Sequence, residues 1–171
     1  MTPLDRRNEI LATTLEFKEM KRILYESATR RCSDRAGCEL FAFLGDQEAE
    51  QIKCIEKNRA GAGAGAPFPT VPAWDWERAE AIKRIIYELE EPAAPAPQDL
   101  ITLNNALSME QACIQFFVYA LEASKDPGER EFLIRMMSEG KEHMALLSDL
   151  GLHFSTRRGQ PGKTGGTGPA A

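Results

Sequence analysis

Two stretches of this chain cannot sustain a helix, and they divide the rest into runs that favour little else. AGAGAGAPFPTVPAW and EPAAPAPQ consist largely of Gly, Ala and Pro. Glycine gives the backbone too much freedom, and proline removes an amide hydrogen and clashes with the preceding turn. The intervening runs are rich in Glu, Lys, Arg, Leu and Ala, the residues of highest helix propensity. Helices are expected over about Arg7–Arg31 and Cys38–Asn58, with a turn at Ser33–Gly37. A connector follows at 59–73. An extra helix over about Trp74–Glu91 carries Ile82, Ile85, Ile86 and Leu89 at helical spacing. Two further helices are expected over about Asp99–Ser124 and Glu129–Leu150, with a sharp turn at Asp126-Pro127-Gly128 and a stop at Gly151. No segment alternates as a strand does, so the expected class is all-α: two helical hairpins with a long crossover that carries the extra helix.

A chain of 171 residues suits one domain with a real core, expected over 1–152. Residues 153–171 are rich in Gly and poor in apolar side chains, the composition of a disordered tail. Lys plus Arg number 21 against 26 Asp plus Glu, with no basic block to track a phosphate backbone, so nucleic acid is not an expected partner. The N-terminus is polar and no long uncharged apolar run occurs, so neither a membrane span nor a leader is expected, and the localisation read from this is cytoplasmic. Cys32, Cys38, Cys54 and Cys113 form no C-x-x-C pair, a spacing that fits reduced thiols; Cys32 and Cys38, flanking a turn, are the pair to examine for redox chemistry.

The two hairpins look duplicated. In each half a Glu precedes a Tyr by nine residues, Glu16 before Tyr25 and Glu110 before Tyr119. On this register the second helix aligns with the fourth, LGDQEAEQ over MMSEGKEH, with a two-residue difference in the turn. At about 100° per residue, Glu48 and Gln51 fall on the apolar arc of Leu40, Phe41, Leu44, Ile52 and Ile55. Gly140 and His143 fall on that of Phe132, Met136, Met137, Leu147 and Leu150, and Glu110 lies beside Ala106, Cys113 and Phe117. Glu16 lies at the margin of its arc. Any one such glutamate most often keeps its head in water at the edge of a stripe, a core histidine is often simply hydrogen-bonded, and Tyr25 and Tyr119 suit amphipathic core positions. Several carboxylates aimed at one axis, however, need pairing, protonation or a cation, and a shared metal accounts for all of them at once.

These residues resemble the rubrerythrin branch of the ferritin-like superfamily, whose pattern is a Glu on the first helix, Glu-x-x-His on the second, and the same again on the third and fourth. ALSMEQACIQFFVYALEAS followed by DPGEREFLIRMMSEGKEHMALLSDL is similar to the family's second hairpin. The resemblance implies a ferritin-like four-helix bundle with metal ligands at Glu16, Glu48, Glu110 and His143. Two positions depart from the pattern: Gln51, a weak ligand, stands in place of a histidine, and Gly140 in place of a bridging glutamate. It further implies iron, or manganese, as one or two ions; oxidoreductase chemistry with peroxide or oxygen near Tyr25 or Tyr119; and a homodimer as an available assembly. The paired C-x-x-C motifs of a rubredoxin-like electron-delivering tail do not occur in this sequence, and no redox partner is implied. The alternative is a metal-free bundle serving as a binding or assembly module, its carboxylates paired with Lys or Arg or bonded to tyrosine.

Overall fold

The computed structural model describes residues 2–60, 62–63, 65–90 and 94–158. Five helices account for most of them: α1 (Pro3–Arg31), α2 (Arg35–Ala60), α3 (Trp76–Glu88), α4 (Pro97–Ala123) and α5 (Pro127–Arg158). No strand occurs among the described residues, so the all-α class holds. α1 packs along α2 and α4 along α5 as two hairpins. These meet through α1 against α4 and α2 against α5, while α3 lies across α2 and α5. No helix of the described residues is long and apolar enough to cross a membrane.

Local chemistry sets the helix starts. Thr2 and Asp5 form a capping box: the Thr2 side chain accepts from Asp5 N at 3.2 Å, and Asp5 accepts from Thr2 N at 3.0 Å. With Pro3 in the first turn, this begins α1 four residues earlier than expected. Asp34 accepts from Gly37 N at 2.8 Å and begins α2 at Arg35, so Gly37 is helical rather than part of the turn. Asp75 caps the shorter α3, accepting from Arg78 N at 2.9 Å. Asp99 caps α4 by accepting from Ala96 N, and also takes the Ser33 hydroxyl at 2.5 Å, tying the second hairpin to the turn of the first.

The expected stop at Gly151 is not observed. α5 runs on to Arg158, and Phe154 is buried in the core. A Cβ at Gly151 would make only an ordinary contact, 3.5 Å from Leu103, and this glycine sits inside the helix instead of ending it. Arg157 and His153 then close over buried Asp34, the former through a short ion pair. Residues 153–158 are therefore helical; 159–171, expected as tail, lie outside the described residues.

The cysteine expectation also changes. Cys32 and Cys38 are joined as a disulfide, their Cα atoms 5.6 Å apart, while Cys54 and Cys113 are free. The tight turn with its Asp34 cap brings the end of α1 against the first turn of α2, within the Cα separation that a disulfide spans.

Two apolar clusters form the core. One gathers Tyr25, Phe41, Leu44, Ile82, Ile86, Leu147 and Leu150. The other gathers Leu11, Ile55, Cys113, Phe117, Phe132, Leu133 and Met136. Full burial of such side chains contributes about 1.5–3 kcal/mol each. Along α1, α2, α4 and α5 alike, the chain passes from one cluster to the other through buried polar residues, which therefore form a layer between the two.

Burial also fixes the register of the repeat. Leu11, Thr14, Lys18, Lys21 and Tyr25 correspond to Leu103, Ala106, Glu110, Cys113 and Phe117. In the other helices Leu40, Phe41, Leu44, Gln51 and Ile55 correspond to Phe132, Leu133, Met136, His143 and Leu147. Every pair has the same sequence separation, so the two-residue difference in the turn disappears. The expected register on the Glu-to-Tyr spacing is two residues out in the first helix: Tyr25 is fully buried, whereas Tyr119 is 63% exposed.

Candidate functional site

The polar layer is built from one or two turns of each helix. α1 supplies Lys18, Lys21 and Tyr25, α2 supplies Glu48 and Gln51, α4 supplies Glu110, and α5 supplies Glu139 and His143. None is more than 6% exposed. Thus Glu48, Gln51, Glu110, His143 and Tyr25 meet as the sequence suggested. Glu16 does not join them: it is exposed, because the inward stripe of α1 runs Leu11, Thr14, Lys18, Lys21, Tyr25. Tyr119 is likewise outside the site.

Three residues of the layer were not anticipated. Lys21 Nζ lies 2.6 Å from Glu48 Oε1 and 3.2 Å from Glu110 Oε2. Lys18 Nζ lies 3.1 Å from Glu48 Oε2 and 3.7 Å from Glu139 Oε1. Glu139, beside Gly140 in sequence, also takes a short hydrogen bond from the Gln51 amide. The available signal was the i, i+3, i+4 spacing of Lys18 and Lys21 with Leu11, Thr14 and Tyr25.

Glu110 is the hub. Tyr25 donates to its Oε1 at 2.5 Å, and His143 Nδ1 approaches the same oxygen at 2.8 Å. Burial alone would raise the Glu110 pKa; Lys21 and His143, with hydrogen bonds from His143 and Tyr25, outweigh it and hold the group at about 2. Burial opposes ionisation of Glu48 too, but Lys18, Lys21 and His143 leave its pKa lowered. Burial works against the Lys21 ammonium, yet the negative charges of Glu110 and Glu48 keep its pKa raised. The Tyr25 hydroxyl is pushed well up, first by burial and then by Glu110, so it stays a neutral donor.

Because an ionised carboxylate only accepts, His143 Nδ1 must carry the hydrogen that it shares with Glu110. This leaves Nε2 turned towards Glu139 Oε1 at 3.6 Å. Gln51 Oε1, Glu139 Oε1 and His143 Nε2 are all buried and make no hydrogen bond. The Trp74 ring covers His143, centroids 5.3 Å apart. A surface depression of about 390 Å³ lined by Trp74, Ser138, Glu139 and Glu142 brings Glu139 close to the exterior.

This donor set does not fit a di-metal centre. Lys18 stands at the position that matches Glu110 in the repeat, and Gly140 stands at the position that matches Glu48. A Cβ on Gly140 would lie 2.9 Å from Ile114 Cγ1, too close for any larger side chain unless Ile114 moves. One ion is a different matter. Ligand atoms of Glu48, Glu139 and His143 come within 4.8 Å of one another, a mixed carboxylate and imidazole set of the kind that takes iron or manganese. Lys18 already pairs with two of these three groups, Glu48 and Glu139.

No protein-family model matches the chain, and no curated protein or solved structure shows significant similarity to it.

Proposed function

We propose that this chain is a ferritin-like bundle of rubrerythrin type in which an internal ion-pair layer replaces the di-metal centre, and that it serves as a metal-independent binding or assembly module. The observation that carries this reading is the position of Lys21, its ammonium between the carboxylates of Glu48 and Glu110 at 2.6 and 3.2 Å. A resident cation supplies the charge that a metal would otherwise supply. With Lys18, two ammonium groups face three carboxylates, Glu48, Glu110 and Glu139. Assembly is supported by Met20, Ile23 and Tyr119, exposed beside the Phe17–Phe116 ring contact of α1 and α4. That surface suits a second copy of the chain.

Elemental analysis tests the reading on protein purified from iron- and manganese-supplemented cells, and again after anaerobic addition of ferrous iron. The expected content is well under one ion per chain; two ions per chain would overturn it. A second reading, a protein holding one iron or manganese ion through Glu48, Glu139 and His143, is favoured by the facing unsatisfied atoms Glu139 Oε1 and His143 Nε2. It requires one ion per chain, lost in Glu139→Gln.

A further inference from the structure

At one end of the molecule, two adjacent arginines meet opposite circumstances. Arg6 holds the Glu129 carboxylate in a fork, Nε to Oε1 at 3.0 Å and Nη2 to Oε1 at 2.7 Å, and adds a bond to Ala120 O. Arg7 is 5% exposed and pairs with no carboxylate among the described residues. Its Nη2 donates to Pro67 O at 3.0 Å and its guanidinium stands 5.7 Å from the Phe68 ring centroid, but Nε and Nη1 have no partner. A guanidinium does not lose its proton in a protein. A buried cation with two unsatisfied donors is therefore expensive, and no shift in protonation relieves it.

Arg7 lines a pocket of about 680 Å³, within the range of small-molecule sites. Leu4, Phe68, Pro67 and Ala123 give it apolar walls, and Lys125 adds positive charge at its rim. Asp126 and Glu129 border it too, which opposes a ligand with a second negative charge. The geometry points to a binding site for an organic monocarboxylate with a short apolar tail. Its carboxylate accepts from the Nη1 and Nη2 edge of Arg7, whose Nη1 has no other acceptor, and its tail lies against Phe68 and Leu4. The planar fork of arginine matches a carboxylate, and because its free donors are themselves buried, binding requires the side chain to turn towards the pocket. The site is separate from the polar layer, so metal measurements at the centre do not bear on it.

Isothermal titration of the intact chain with octanoate, 1-octanol and succinate tests this inference. Octanoate is expected to bind once per chain and saturably, with octanol and succinate at least about tenfold weaker, because a hydrogen-bonded charge pair is lost in one case and a surplus charge added in the other. Arg7→Met should weaken octanoate by at least about tenfold, with far-UV circular dichroism confirming the helical fold. Ala123→Trp, at an exposed wall position, should block the pocket without touching Arg7 and abolish binding. Absence of saturable octanoate binding, equal binding of octanol, or full affinity in Ala123→Trp would each overturn the assignment.

Discussion

Lys18 stands in α1 where Glu110 stands in α4. Each lies seven residues before the buried aromatic of its helix, Tyr25 or Phe117, and each turns its charge into the same layer. The exchange of acid for base at matched positions converts a site that would attract cations into one that largely neutralises itself. That relationship can be tested from several directions.

Replacing Lys21 by Met keeps the volume of the side chain but removes the ammonium from between two buried carboxylates. Removing one partner of a buried pair typically costs about 3–5 kcal/mol, and a loss of that size is expected in urea unfolding. Lys21→Met combined with Glu110→Gln should cost less than the two single changes together, since the residues share one network. Simple additivity would mean that they do not interact.

Acid should unfold the protein in a window set by Glu110. Its pKa is depressed when folded, to about 2, from an ordinary 4.5. A depressed carboxyl contributes stability that is present above the unfolded value and is lost as pH falls through the folded one. The groups facing it are Lys21, Tyr25, His143 and Glu48. Urea midpoints should therefore fall between about pH 4.5 and about pH 2, and Glu110→Gln should flatten that decline. An unchanged slope in the variant would contradict the assignment.

Metal affinity should respond to the charge at position 18. Lys18→Glu gives α1 the carboxylate that α4 already has and removes the cation beside Glu48 and Glu139. The variant is expected to take up at least one more cobalt ion per chain than the parent, measured by elemental analysis after gel filtration. Equal uptake would show that Lys18 does not keep metal out.

Thiol counting checks the covalent structure. Alkylation in denaturant should modify two cysteines without reductant, Cys54 and Cys113, and four after reduction. Native protein should react at Cys54 well before Cys113, whose thiol burial pushes up to about 12. Opening the short Cys32–Cys38 loop should lower stability by about 2 kcal/mol.

The helical pairs were legible because Gly and Pro punctuate the chain so sharply, and Glu48, Gln51, Glu110 and His143 were legible because each interrupts an apolar arc. Lys18 and Lys21 were not, since a lysine on a helix ordinarily carries its charge to water, and only the stacking of all four helices shows that here it has nowhere to carry it. The register failed for a related reason. Tyr119 mimics Tyr25 in spacing, but Phe117 occupies the core, a distinction that depends on burial and not on residue type. The Cys32–Cys38 pair was legible from its place across the turn, but that it is bonded rather than reduced depended on how closely the turn draws the two Cα atoms.

The contact between the Gly140 position and Ile114 makes the order of any changes at these two positions matter. Where a neighbour fills the space above a glycine, a side chain cannot simply be added; the neighbour must be made smaller first, and on its own that change leaves a hole. With Cβ and Ile114 Cγ1 only 2.9 Å apart, Gly140→Glu takes two ordered changes, the first of which carries a cost and no immediate benefit.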